Sequence, residues 1–253
     1  MSFDVGAGEY GRFMGRFSEP LGFLFAHDAE LEPGQRALDV GCGAGALTAR
    51  LVERLGVEQV AAVDPSERFV AAVRERFPGL DVQSGSAEAL PFPDDAFDAS
   101  LAQLVVQFMS DPVAGLREMA RVTRPGGRVA ACVWDMAGGI NPLATFWAAA
   151  RDVDPMVIDE SRLPGVRREH LIELAEAAGL SHITAPALAL RVPFTSFEEW
   201  WEPYTFGVGP AGSYLAGLDD EHRIALRDRC AALLPPGPFE VVAQAWSIQA
   251  TVM

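Results

Sequence analysis

Leu38-Asp39-Val40-Gly41-Cys42-Gly43-Ala44-Gly45-Ala46 is the stretch that decides the fold. Apolar, strand-like residues run into three glycines at alternate positions, and an amphipathic helical pattern over 46–55 begins at once. Glycine lets backbone approach a ligand closely, and the first turn of a helix offers N–H groups with no partner inside the helix. A strand, a glycine turn and a helix start together make a ready site for a nucleotide-like ligand. As a bare pattern the stretch also fits G-x-G-x-x-A, the dinucleotide fingerprint, and a tight strand–helix turn without any ligand is the plain structural alternative.

Working outward, short apolar strands at 36–40, 59–63, 80–84, 97–102 and 128–134 alternate with helical patterns at 46–55, 67–76 and 113–122. Alternation at this spacing predicts a parallel, doubly wound α/β sheet. Beyond Trp134 the pattern loosens: helices are predicted at 142–151 and 168–178, a strand at 181–192, helices at 197–204 and 219–234, and a last strand at 239–252. The sequence thus predicts seven strands, mostly parallel, in one domain spanning 1–253 with its core at 36–134. The connection before the last strand is too long for a simple hairpin, so a helical insertion at 195–235 is expected over the carboxyl edge of the sheet. Residues 1–30, rich in Phe and without a strand signal, are expected to form a helical lid that the sheet does not need in order to fold.

Two carboxylates narrow the ligand. Asp64 closes the second strand about twenty residues after Gly43, where a βαβ unit presents a carboxylate to ribose hydroxyls. Asp39 adds negative charge at the end of the first strand. That charge is repulsive beside a pyrophosphate and attractive beside an ammonium or sulfonium. The ligand that fits is a nucleoside with a cationic amino-acid tail, S-adenosylmethionine.

The segments ALDVGCGAG (37–45), VDPSE (63–67), GSAEALPFPDDAFD (85–98) and RVTRPGG (121–127), with YGRFMGRFS (10–18), resemble the class I S-adenosylmethionine-dependent methyltransferases. The nearest likeness is to the small-molecule group related to ubiquinone/menaquinone biosynthesis methyltransferases, and it covers about 36–134. The resemblance implies a Rossmann-like fold. It also implies Gly41, Gly43 and Gly45 along the methionine moiety, with Asp39 near its ammonium. Asp64 would hold the ribose, Pro65 and Ser66 would flank the adenine, and Ser86, Ala87 and Glu88 would lie at its edge. Many relatives carry Asp where Ser86 stands here. Gln103 and Leu104 would approach the sulfonium, and Tyr10 and Arg16, from the lid, would reach the methionine carboxylate. Gln107 and Phe108 occupy positions where relatives often have two histidines, so an imidazole is missing on the acceptor side.

Composition excludes other chemistries. Lys+Arg is 20 against Asp+Glu 35, a net charge of −15, and every basic residue is Arg. Without Lys there is no Schiff base, no pyridoxal-phosphate anchor and no Walker A site. The acidity disfavours nucleic acid and anionic membrane surfaces as partners. Three scattered cysteines (Cys42, Cys132, Cys230) and the absence of a signal-peptide pattern point to a reducing, cytoplasmic setting. His27, His170, His182 and His222 have no metal-ligand spacing, and no metal is expected. Trp200 and Trp201 are adjacent in one predicted helix, so one of them is expected to face a cavity or another chain. The expected activity is methyl transfer to an O, N or C atom of a small, largely apolar molecule, with no residue committed as a general base. An NAD-type oxidoreductase and a non-catalytic S-adenosylmethionine-binding protein are the alternatives.

Overall fold

Helix and strand boundaries follow the apolar pattern closely in the computed structural model, which describes residues 11–253. In chain order the elements are α1 (Arg16–Asp28), β1 (Ala37–Val40), α2 (Ala46–Leu55), β2 (Val60–Asp64), α3 (Glu67–Arg76), β3 (Asp81–Ser84), β4 (Phe97–Gln103), α4 (Pro112–Val122) and β5 (Thr123–Trp134). Then come α5 (Ala144–Val153), α6 (Arg168–Ala177), β6 (Ser181–Thr184), β7 (Ala187–Phe194), α7 (Phe197–Trp201), α8 (Gly209–Gly217), α9 (Asp220–Leu233) and β8 (Phe239–Thr251). Helix starts obey local chemistry. Asp111 caps α4 by accepting from the Ala114 N–H at 3.0 Å, and Pro112 opens the first turn, where its missing N–H costs nothing.

The sheet runs β3-β2-β1-β4-β5-β8-β6, with β7 also paired to β8. Strands β1 to β5 pair parallel with one another, and β8 is antiparallel to β5, β6 and β7. The chain leaves β1 toward β3 and returns to place β4 on the other side of β1. That is a topological switch point, and ligands bind outside the carboxyl ends of the strands there.

All four residues of β1 are buried, as expected of a strand covered on both faces. Alternation sends Leu38 and Val40 into one apolar layer, with Leu116 and Leu171, while Ala37 joins the other, with Leu47, Phe17 and Phe25.

Two expectations are corrected. Among the described residues the sheet has eight strands, not seven, because the single strand expected at 181–192 divides into β6 and β7 around Ala185 and Pro186. Pro186 has no N–H to give to a ladder. The lid is not a detachable cover: α1 buries Phe17, Leu21 and Phe25 in the core. Both tryptophans are buried, 2% and 8% exposed, and Trp200 lines a small cavity of about 10 Å³ with Phe13, Phe194 and Tyr204, while Trp201 lines none of the cavities described. The one-turn helix α7 is enclosed on both sides, with Trp200 against Tyr204 at 4.8 Å between ring centres and Trp201 against Phe197 at 6.0 Å. The insertion itself is present, joining β7 to β8, whose ends pair at Phe194 and Phe239. It includes α8, which the sequence left unassigned because four glycines (Gly207, Gly209, Gly212, Gly217) make 207–217 read as loop.

Candidate functional site

The turn between β1 and α2 is built from left-handed glycines: φ is +71° at Gly41, +51° at Gly43 and +83° at Gly45. A Cβ on Gly41 would lie 2.5 Å from a methyl of Val105, so that glycine is needed for close packing as well as for its φ. Gly43 has open space where its Cβ would be, and its N–H donates to Oδ2 of Asp64 at 2.9 Å. The Ser66 N–H donates to Oδ1 of the same carboxylate at 2.8 Å. Asp64 is therefore oriented by backbone from two loops. Burial raises its pKa, which the Ser66 and Gly43 N–H groups partly counter. A carboxylate accepts about four hydrogen bonds, so acceptor capacity remains on the cleft side.

Asp39 lies at the end of β1, buried, with Thr48 Oγ1 donating to it at 2.6 Å. Burial is the main cause that pushes its carboxyl up to about 7, and the nearby charge of Asp64 adds to it. Among the described residues it has no cationic partner. A buried carboxylate beside a cavity and without a cation fits a ligand that brings one.

A cleft of about 850 Å³ opens at the switch point, lined by Gly41, Gly43, Asp64, Pro65, Ser66, Ser86, Ala87, Glu88, Gln103 and Leu104. A smaller pocket of about 60 Å³ shares Gly41, Gly43, Gln103 and Leu104 with it and runs under α1 past Asp39, Ala44 and Arg76. Gln103 Nε2 donates to the Ser18 carbonyl at 2.7 Å, tying α1 to the end of β4, while its Oε1 is buried without a partner among the described residues. Leu104 follows with φ +61°, a conformation that costs a non-glycine residue and is often found at functional sites. The Ser86 hydroxyl donates to Glu88, which also accepts from the Ser110 N–H at 2.7 Å, so both side chains are engaged at the rim.

Not every expected site residue comes to the cleft. Gly45 is buried under Phe77 and Val73 and starts α2 without lining the cavity. Arg16 pairs with Glu199 at 2.6 Å and lies 4.6 Å over the Phe194 ring, away from the cleft. Tyr10 lies outside the described residues. The cation that does line the inner pocket is Arg76, whose guanidinium donates to the Ala44 carbonyl at 3.1 Å. In the sequence it looked like an ordinary C-terminal helix cation, and no local signal distinguished it.

A third pocket, about 50 Å³ and mostly apolar, adjoins the cleft through Leu104, Gln107 and Phe108. Its other walls include Phe13, Met14, Trp134, Leu143, Val208 and Glu160. Glu160 is 7% exposed and accepts from Trp147 Nε1 at 3.0 Å. Burial pushes its carboxyl up to about 7, with the Asp159 charge contributing. No local signal marks this residue, because MVIDESRLP reads as a solvated loop. Among the described residues no group of His, Cys, Asp and Glu is placed to hold a metal ion, and no helix is long and apolar enough to cross a membrane.

The parallel sheet, its switch-point cleft and the glycine turn define a Rossmann-like nucleotide-cofactor fold. Within it, residues 38–131 match a family model described as a methyltransferase domain. The chain is 33% identical over 164 residues to a 2-methyl-6-phytyl-1,4-hydroquinone methyltransferase of rice, a match covering 62% of this chain and 43% of that protein. It is 40% identical over 107 residues to the ubiquinone/menaquinone biosynthesis C-methyltransferase of Stenotrophomonas maltophilia, covering 40% of this chain and 42% of that protein. It thus spans about two fifths of the length of these relatives. A phosphoethanolamine N-methyltransferase from Haemonchus contortus, solved with S-adenosylhomocysteine, has the same fold with a TM-score of 0.59 at 17% identity, over 97% of this chain and 57% of that one.

Proposed function

We propose that this chain binds S-adenosylmethionine in the cleft and transfers its methyl group to an O, N or C atom of a small, largely apolar molecule. The observation that carries this reading is the pair of buried carboxylates, Asp39 and Asp64, at the ends of adjacent strands on either side of one glycine turn. A positive group beside Asp39 and a diol beside Asp64 satisfy both. Pro65, Ser66, Ser86, Ala87 and Glu88 then face the adenine. Arg76 takes the methionine carboxylate in place of Arg16, and Gln103 and Leu104 border the sulfonium. When bound, the cofactor supplies a methyl group already activated by positive sulfur, so the protein's part is to position the acceptor and exclude water. The segment 195–235, with α1 packed beside it, serves as the roof of the cleft within a single domain. The named activities of the relatives suit a ring-shaped, weakly polar acceptor. Three buried, unpaired cysteines suit a reducing compartment, for which we propose the cytoplasm.

The test is calorimetric titration with S-adenosylhomocysteine. Asp64→Ala removes the acceptors of two charge-assisted hydrogen bonds, each about 1.5–3 kcal/mol, and is expected to weaken binding on the order of a hundredfold. Wild-type affinity in that variant defeats the assignment of Asp64. NADH binding tighter than S-adenosylmethionine defeats the reading of the cleft, and binding without turnover for any acceptor supports a non-catalytic protein instead.

A further inference from the structure

We infer that Glu160 is the general base of this site, taking the proton from an O–H nucleophile on the acceptor, and that the acceptor is a hydroxylated, otherwise apolar molecule with a second oxygen for the indole N–H of Trp134. The inference rests on the reading of the cleft as the S-adenosylmethionine site and deepens it by naming the acceptor class.

The pocket beside Leu104 is apolar except at three points. Glu160 is buried in its wall, and besides Trp147 no donor bonds its carboxylate among the described residues. Gln107 donates its Nε2 to the Leu104 carbonyl at 3.1 Å, which leaves its Oε1 as an acceptor, buried and without a partner among the described residues. Trp134 Nε1, a donor and nothing else, is also buried and has no partner among the described residues. Buried polar atoms are nearly always satisfied, so two orphans on residues that line one small pocket are groups that a ligand's polar end satisfies once their side chains turn toward it. The set reads acceptor, acceptor, donor. A hydroxyl satisfies Glu160 or Gln107, and a neighbouring carbonyl, ether or second hydroxyl oxygen satisfies Trp134. A hydrocarbon satisfies none of them, and an ammonium leaves the indole N–H facing a cation.

Leu104 and Gln107 line both this pocket and the cleft, so a nucleophile held here borders the sulfonium end. The step balances without a further reactant. The acceptor oxygen forms the new C–O bond as the methyl–sulfur bond breaks, the electron pair of that bond stays on sulfur as a neutral thioether, and the hydroxyl proton passes to the Glu160 carboxylate. Burial holds Glu160 where a base is useful near neutral pH. The titratable groups around it are Asp159, which is paired with Arg151, and the buried Tyr204, whose own ionisation is pushed far up by burial, with Cys230 and Glu160 adding to it.

The experiment uses the full chain, Glu160→Gln and Trp134→Phe, with S-adenosylhomocysteine binding by calorimetry as the check that each variant is folded and keeps its cofactor site. Methyl transfer from labelled S-adenosylmethionine is measured to a series of phenols of graded acidity. Glu160→Gln is expected to lose on the order of a hundredfold in kcat on the least acidic phenols, and progressively less on those already ionised at the assay pH. Trp134→Phe is expected to raise KM more than it lowers kcat for phenols carrying an ortho oxygen. Without turnover, 4-nitrophenol bound to the complex with S-adenosylhomocysteine reports its ionisation by absorbance. The wild-type chain should hold it neutral to higher pH than Glu160→Gln does. Equal losses across the phenol series, an unshifted 4-nitrophenol titration, or transfer to amines with none to phenols overturns the inference while leaving the cofactor reading intact. Failure to bind S-adenosylhomocysteine overturns both.

Discussion

Asp39 is where electrostatics and pH meet most directly. Its ordinary pKa of 3.8 is pushed up to about 7, first by burial and then by the charge of Asp64. The fold therefore favours the protonated form. The contribution is stabilising below the unfolded value, and it is lost as pH rises through about 7, where a carboxylate must be buried without a partner. A cationic ligand tail reverses that cost by pairing with the ionised form. Cofactor affinity is therefore expected to rise between about pH 5.5 and 8, with protons released on binding, and Asp39→Asn should flatten the dependence. Calorimetry in two buffers of different ionisation enthalpy measures the release directly. A pH-independent wild-type affinity would sink the assignment of Asp39 to the cation. The neighbouring positions were legible for a local reason, since Gly41 and Gly43 each need a positive φ that only glycine takes easily.

At the scale of elements, α1 behaves as core. Phe25 is fully buried, and Arg16 at the start of the helix pairs with Glu199 of α7, so the helix joins the sheet to the insertion. Phe25→Ala is expected to cost about 3–5 kcal/mol. Deleting residues 1–30 should abolish cooperative thermal unfolding, and a sharp, wild-type-like melt of the truncated chain would refute this. The paired tryptophans make a second case. Because both are packed among Phe146, Phe197 and Tyr204, Trp200→Ala and Trp201→Ala should each lower stability by about 3–5 kcal/mol by chemical denaturation. Neither should selectively remove acceptor turnover at a temperature where it remains folded; a variant that keeps its stability but loses turnover would show that the cavity wall was misassigned.

Across the whole molecule, a net charge of −15 opposes polyanions, and many of the arginines are already engaged: Arg121 with Glu118 and Asp94, Arg124 with Asp98, Arg229 with Asp152. No salt-sensitive binding to tRNA or duplex DNA is expected at micromolar protein. A fluorescence anisotropy titration that shows such binding would reverse the choice of a small-molecule acceptor.

Local pattern encodes the strand–helix alternation from β1 to β5, the glycine turn and the carboxylates at the strand ends, and all three are legible from the residues alone. Each depends on residues a few positions apart or on one βαβ unit, where period and turn chemistry suffice. The tertiary structure decided the rest. It divided the strand at Pro186, turned Arg16 toward Glu199 and brought Arg76 to the inner pocket. It enclosed both tryptophans and drew Glu160 out of an acidic loop into an apolar wall. A charged side chain has the same letter in water and in a cavity, and only the packing of elements distant in sequence sets its burial, its partner and its proton affinity.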